Sequence, residues 1–104
     1  MDDADFDRRI EATLESLEWL LDEVDVDYEN SAGILTVEFE NDTSMIFSRQ
    51  SGNNQLWLAA RSGGYHFRWD EQAGDWRCTR SEELLKPLTN REMLAQGQIE
   101  LNWS

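Results

Sequence analysis

One cysteine, one proline, one histidine and nine basic residues are all that this 104-residue chain has of four chemically decisive types. A lone Cys78 excludes an internal disulfide and any cysteine-only metal site, and reads instead as a small packed apolar group or a sheet-edge residue. A lone His66 reads as a hydrogen-bonded surface residue of a strand. No Ser–His–acid or Cys–His set can be assembled around it, and there is no phosphate loop. Neighbouring acids could do acid–base work only with burial that tunes them, which a solvated helix flank does not supply. We therefore expect no enzyme. No window approaches the ~18 uninterrupted apolar residues of a membrane span, and the N-terminus is acidic where a signal or transit peptide would be basic. The expectation is a soluble cytoplasmic protein with no membrane partner.

What the chain does have is acid. Twelve of the first 29 residues are Asp or Glu against only Arg8 and Arg9, so this segment carries −10 of a net charge of −13. The remaining 75 residues hold ten acids and seven bases. A localised patch of this kind points to cations or a basic partner, and it repels nucleic-acid phosphates. The chain is nonetheless no disordered tail. Hydrophobic residues make up 39%, with five Trp, four Phe and two Tyr, and a chain of this length buries roughly two-thirds of its unfolded surface. Residues 1–104 are expected to form a single domain.

Phe6, Ile10, Leu14, Leu17, Leu21 and Val24 recur at spacings of three and four, predicting one amphipathic helix from about Ala4 to Glu23. With residues about 100° apart, Asp7, Glu11, Glu15, Glu18 and Asp22 fall in a row along one flank of that stripe. From Gly33 the period becomes two. Leu35, Val37 and Phe39 alternate with Thr36, Glu38 and Glu40 as in a half-buried strand, and Asn41-Asp42 supplies a turn. Further strands are predicted at Met45–Arg49, Gln55–Arg61, Tyr65–Asp70 and Trp76–Arg80, with links short enough to require an antiparallel meander. Ser81 reads as the N-cap of a second helix. Pro87 makes that helix begin late, kink, or break near Lys86. Gly97 marks a stop before an extended Ile99–Leu101 tail. The fold class is α+β, two helices packed on one face of a single antiparallel sheet with the other face wet.

On that open face, alternation places Gln55, Trp57, Ala59 and Arg61, because Leu56, Leu58 and Ala60 suit the core. His66, Arg68 and Arg77 join them if Tyr65, Phe67 and Trp69 point inward. A tryptophan among polar and basic residues suits a protein interface, unless a neighbouring side chain covers it.

The run Gln55-Leu56-Trp57-Leu58-Ala59-Ala60-Arg61-Ser62-Gly63-Gly64-Tyr65-His66-Phe67 resembles the Q-x-W-L-A…GGYHF signature of the bacterial frataxin (CyaY) family. Gly33–Asn41, the Arg49-Gln50 pair and Asp25-Val26-Asp27-Tyr28-Glu29, just before the first predicted strand, support the resemblance. Matching elements run in order from Phe6 to about Leu85. The resemblance implies a helix, a twisted antiparallel sheet and a second helix. It also implies weak, reversible binding of iron (Fe²⁺ or Fe³⁺) by carboxylates, and docking onto the cysteine desulfurase of iron–sulfur cluster assembly, with the cluster scaffold as a possible further partner. By that resemblance the metal residues are Glu15, Glu18, Asp22, Glu23, Asp25, Asp27 and Glu29. The partner-binding residues are Glu11, Glu18, Asp22, Gln55, Trp57 and Arg61. Three features depart from the family pattern: Trp19, where bacterial members commonly carry an acid, Pro87, and the tail after Gly97.

Carboxylates without thiolate or imidazole suit hard, labile metal binding. Such a site releases what it binds, and Mn²⁺, Co²⁺ or Ca²⁺ should compete with iron for it. Two functions stay open at this point. One is an iron chaperone, a desulfurase regulator, or both, monomeric without iron. The alternative is a metal-independent acidic module that inhibits a basic protein. Ferroxidase or iron-storage activity is a third possibility that the sequence does not decide.

Overall fold

The computed structural model describes all 104 residues. Helix α1 (Asp3–Glu23) is followed by six strands, β1 (Asp27–Ser31), β2 (Ile34–Glu38), β3 (Ser44–Gln50), β4 (Gln55–Ala60), β5 (Gly63–Asp70) and β6 (Asp75–Cys78), and then by helix α2 (Leu85–Gly97). The strands pair in sequence order, every pair antiparallel, so the sheet is a simple meander. Two helices on one antiparallel sheet is the architecture that the periodicity predicts.

Helix α1 starts where Asp2 accepts the backbone N–H of Asp5 at 2.8 Å, a side-chain cap for one of the otherwise unpartnered first-turn donors. Its stripe of Phe6, Ile10, Leu14, Leu17 and Leu21 is buried against Leu35, Val37, Phe47, Leu56, Leu58 and Phe67 on the sheet's inner face. Trp76 joins this core edge-on to Phe6, with ring centroids 5.9 Å apart. Full burial of each such side chain stabilises by roughly 1.5–3 kcal/mol before entropic costs. The helix therefore owes its place to the stripe and not to its acid-rich flank.

Strand β1 goes beyond the five predicted strands. Asp27–Ser31 pairs with β2 in the register Asp27↔Glu38 to Ser31↔Ile34, so residues expected to precede the first strand are themselves the sheet edge. Only Tyr28 in β1 is even partly buried, hence there is no apolar alternation to detect. The β1–β2 hairpin closes through Ala32 and Gly33, both left-handed at φ 54° and 80°, the two-residue turn that matches strand twist. A Cβ on Gly33 would also lie 2.7 Å from Arg49 Cδ, so the guanidinium arm crosses directly over this turn.

The second helix begins late. Its N-cap is Leu84 and not Ser81, because a helix from Ser81 would bury Pro87 in its interior, against the Glu83 carbonyl. That carbonyl instead accepts Cys78 N–H at 2.8 Å, and Pro87 sits in the first turn, where its missing N–H removes no bond. The buried carboxylate of Asp75 caps this turn from the neighbouring strand, accepting Lys86 N–H at 3.0 Å and Trp76 N–H at 2.8 Å. At the other end Gln98, not Gly97, takes the left-handed conformation, at φ 56°. Gly97 is small for another reason, since a Cβ there would lie 2.3 Å from the Phe39 ring. Beyond it, Leu101 and Trp103 are buried, and Trp103 touches both helices: its indole N–H donates to Ser16 Oγ at 3.1 Å and its backbone pairs with the Asn90 side chain at 2.9 and 3.0 Å.

Candidate functional site

Two surfaces carry the residues singled out from the sequence. The first is the flank of α1 and the β1 edge beside it. Glu11, Glu15, Glu18, Asp22, Glu23, Asp25, Asp27 and Glu29 all lack a basic side chain within ion-pair distance. Farther up α1, Asp5 is paired with Arg8 and Asp7 with Arg49, leaving only Asp3 unpaired there. The uncompensated charge thus gathers at the C-terminal half of the helix. That half is the wrong end for it: the helix dipole places about half a negative charge there, and no base occupies the last turn. Like charges at i, i+4, such as Glu11 with Glu15 and Glu18 with Asp22, each cost a few tenths of a kcal/mol more.

Strand β1 holds this flank in place. Alternation turns Tyr28 and Asn30 toward α1. Tyr28 OH donates to Asp22 Oδ1 at 2.9 Å, and Asn30 Nδ2 donates to Glu18 Oε2 at 2.5 Å. The hydrogen bond to Asp22, together with the negative charges of Asp22 and Glu18, pushes the Tyr28 phenol above its usual range. A raised phenol pKa favours the neutral ring in the folded state. The bond therefore stabilises below the unfolded value near 10 and is lost as the pH rises through the higher folded value. Asp22→Ala should let Tyr28 ionise at lower pH, as followed by its ring-carbon chemical shift. An unchanged titration would show that the ridge does not act on this phenol.

Asp25 occupies the corner between α1 and β1 in a left-handed conformation, φ 60°, which Asp tolerates better than most residues. Asp27 and Glu29 point to the opposite sheet face from Tyr28, so the seven carboxylates assigned to metal wrap around an edge. No three of them converge on one point. What the arrangement offers is a continuous oxygen-donor field and not a preformed chelate, which suits hard cations held loosely with their water. The field extends beyond the residues singled out from helical spacing. A groove of about 880 Å³ at this end of the molecule is lined by Asp25 and Asp27 together with Glu38, Glu40 and Asp42, with no basic residue in its lining. Register alone makes the link: Asp27 faces Glu38 across β1–β2, a like-charge pair that strand pairing normally disfavours.

The second surface is the open sheet face. Trp57 lies on it, half-buried, its indole N–H donating to Gln55 Oε1 at 2.8 Å. One face of its ring is covered by His66, stacked at 4.1 Å and 7°. The imidazole is therefore a stacking partner for tryptophan, and it belongs to no cluster of potential metal ligands. Pairing continues the row through Ser48 to Ile34, and the neighbouring row joins Ala59 to Ile46. Ile34 is 45% and Ile46 38% exposed, extending the apolar character of the patch beyond Trp57. Strand parity would have revealed both. Arg61 is not on this face. Strand β4 ends at Ala60, alternation stops there, and the Arg61 guanidinium turns toward α2 to donate to the Ala95 carbonyl at 3.2 Å. Arg77 is on the face but tied to Asp70 at 2.6 Å.

Fold and surface together define a class: an α–β sandwich of two helices on an antiparallel meander, with an acid-rich edge free of ion pairs beside a half-covered tryptophan on the bare sheet face. The comparisons place it more narrowly. The profile of the frataxin-like domain matches residues 1–99. The iron-sulfur cluster assembly protein CyaY of Pseudomonas syringae pv. syringae is 48% identical over 104 residues, spanning 98% of this chain and 94% of the relative. Its counterpart in Pseudomonas fluorescens strain SBW25 is 52% identical over 96 residues, spanning 90% and 83%. The frataxin of Psychromonas ingrahamii superposes with a TM-score of 0.92 at 28% identity, covering 100% of this chain and 99% of that one. Trimeric frataxin from Saccharomyces cerevisiae, complexed with ferrous iron, superposes with a TM-score of 0.70 at 25% identity over 94% and 88%. This chain belongs to the frataxin family.

Proposed function

We propose that this chain is a non-enzymatic, cytoplasmic iron-binding protein of iron–sulfur cluster assembly, which carries iron as loosely held cargo, regulates the cysteine desulfurase, or does both. The observation that carries this reading is the set of eight carboxylates, Glu11 to Glu29, left without a basic partner at the electronegative end of α1. The relatives named for cluster assembly and the yeast relative bound to ferrous iron support it. Carboxylate oxygens accept Fe²⁺ but compete poorly with thiolate or imidazole sites, so iron taken up here can be handed on. The metal set within this field is Glu15, Glu18, Asp22, Glu23, Asp25, Asp27 and Glu29.

The same field steers a positively charged desulfurase surface, and the face around Gln55 and Trp57 supplies the desolvated contact that fixes it. Residues 1–104 act as one unit, monomeric without iron, with the cluster scaffold as a further partner. Reconstitution with desulfurase and scaffold at several iron levels tests the proposal. Cluster formation should respond to this protein, and the response should change with iron. A response identical at every iron level would favour the metal-independent inhibitor of a basic partner.

A further inference from the structure

Trp19 is 65% exposed, the most exposed of the large hydrophobic side chains. At about 100° per residue it lies opposite the buried stripe of α1, so it has no packing role. The other four tryptophans are all engaged within the chain. Trp57 stacks on His66, Trp69 has the Arg9 guanidinium 4.5 Å from its ring, Trp103 has Lys86 Nζ at 6.0 Å, and Trp76 is fully buried. Trp19 alone has neither a cation nor a ring against it. Its neighbours one turn away are Glu15, Asp22 and Glu23, none of them in an ion pair.

An indole face attracts cations through its quadrupole, and arginine stacks on it best because the guanidinium is flat and weakly hydrated. Carboxylates one turn above and below the ring can take the guanidinium N–H groups in the fork geometry that arginine presents. We propose that Trp19 is an anchor that receives an arginine side chain from a basic protein partner, the arginine lying on the indole between Glu15 and Asp22–Glu23. The proposal refines the docking surface proposed above and rests on it. It concerns contact with protein and needs no metal.

The test uses the full chain, metal-free, at near-physiological salt, titrated with an oligo-arginine peptide. Among the five indole N–H resonances that of Trp19 should shift most, and Trp19→Leu should raise Kd about two- to fivefold, with Trp19→Phe between the two. Since Trp19 is exposed, these variants should fold like the parent, as unfolding midpoints will show. Trp19→Leu binding as tightly as the parent would overturn the proposal, since leucine keeps apolar bulk without a π face. If Glu15→Gln with Asp22→Asn still weakens binding in that event, the acidic docking surface survives and only the anchor falls. A parent chain that does not bind the peptide at all would remove both.

Discussion

Trp103→Ala is expected to lower the free energy of unfolding by about 3 kcal/mol, the low end of the range for truncating a buried tryptophan. For a domain of this size that is a fall in Tm on the order of 15 °C. The indole is buried where the tail meets both helices, and its N–H donates to Ser16 of α1 while its backbone is clamped by Asn90 of α2. Truncation removes the apolar contact and the indole N–H bond to Ser16, leaving the backbone bonds to Asn90 to hold the tail. Urea unfolding of the variant beside the parent measures the loss. A change below about 1 kcal/mol would mean that the tail merely lies on the helices and contributes little.

Glu18→Lys combined with Asp22→Lys should weaken Fe²⁺ binding and desulfurase binding together, the latter through an on-rate reduced roughly 10- to 1,000-fold at low salt. The two positions lie one turn apart at the centre of the unpaired field, and the change shifts local charge by four units in the middle of a surface with no base of its own. Salt should erase much of the difference, because the Debye length falls from about 30 Å at 0.01 M to about 8 Å at 0.15 M. Trp57→Ala should instead leave iron binding as it is and harm only the protein contact, chiefly through faster dissociation. Desulfurase association unaltered in the double-Lys variant would separate the metal surface from the partner surface.

The parts of this molecule legible in the sequence are those governed by periodic burial. Phe6 to Leu21 at helical spacing, and Leu35, Val37, Leu56, Leu58 and Phe67 at strand spacing, all point into one core, so the layers and most strands follow from pattern alone. Strand β1 escaped because an edge strand with wet faces needs no apolar alternation. The start of α2 was legible only as three alternatives. The deciding facts were tertiary: Asp75 capping from another strand, and the Glu83 carbonyl already engaged by Cys78. The acid ridge was readable as helical geometry, but its extension to Glu38, Glu40 and Asp42 depends on strand register. Arg61 shows the limit of alternation at a strand end, where one residue past β4 the chain is already turning toward the helices.

The central claim is that the carboxylates of the α1–β1 edge, unneutralised and uncaged, bind divalent iron reversibly. Anaerobic titration of the isotope-labelled chain with Fe²⁺, followed at every backbone amide, tests it most directly. The account predicts that signals from residues 15–29 are lost first, those around Glu38–Asp42 next, and those of Trp57 and His66 last, all returning on addition of a chelator. Uniform attenuation along the chain, or a spectrum untouched by iron, would contradict it.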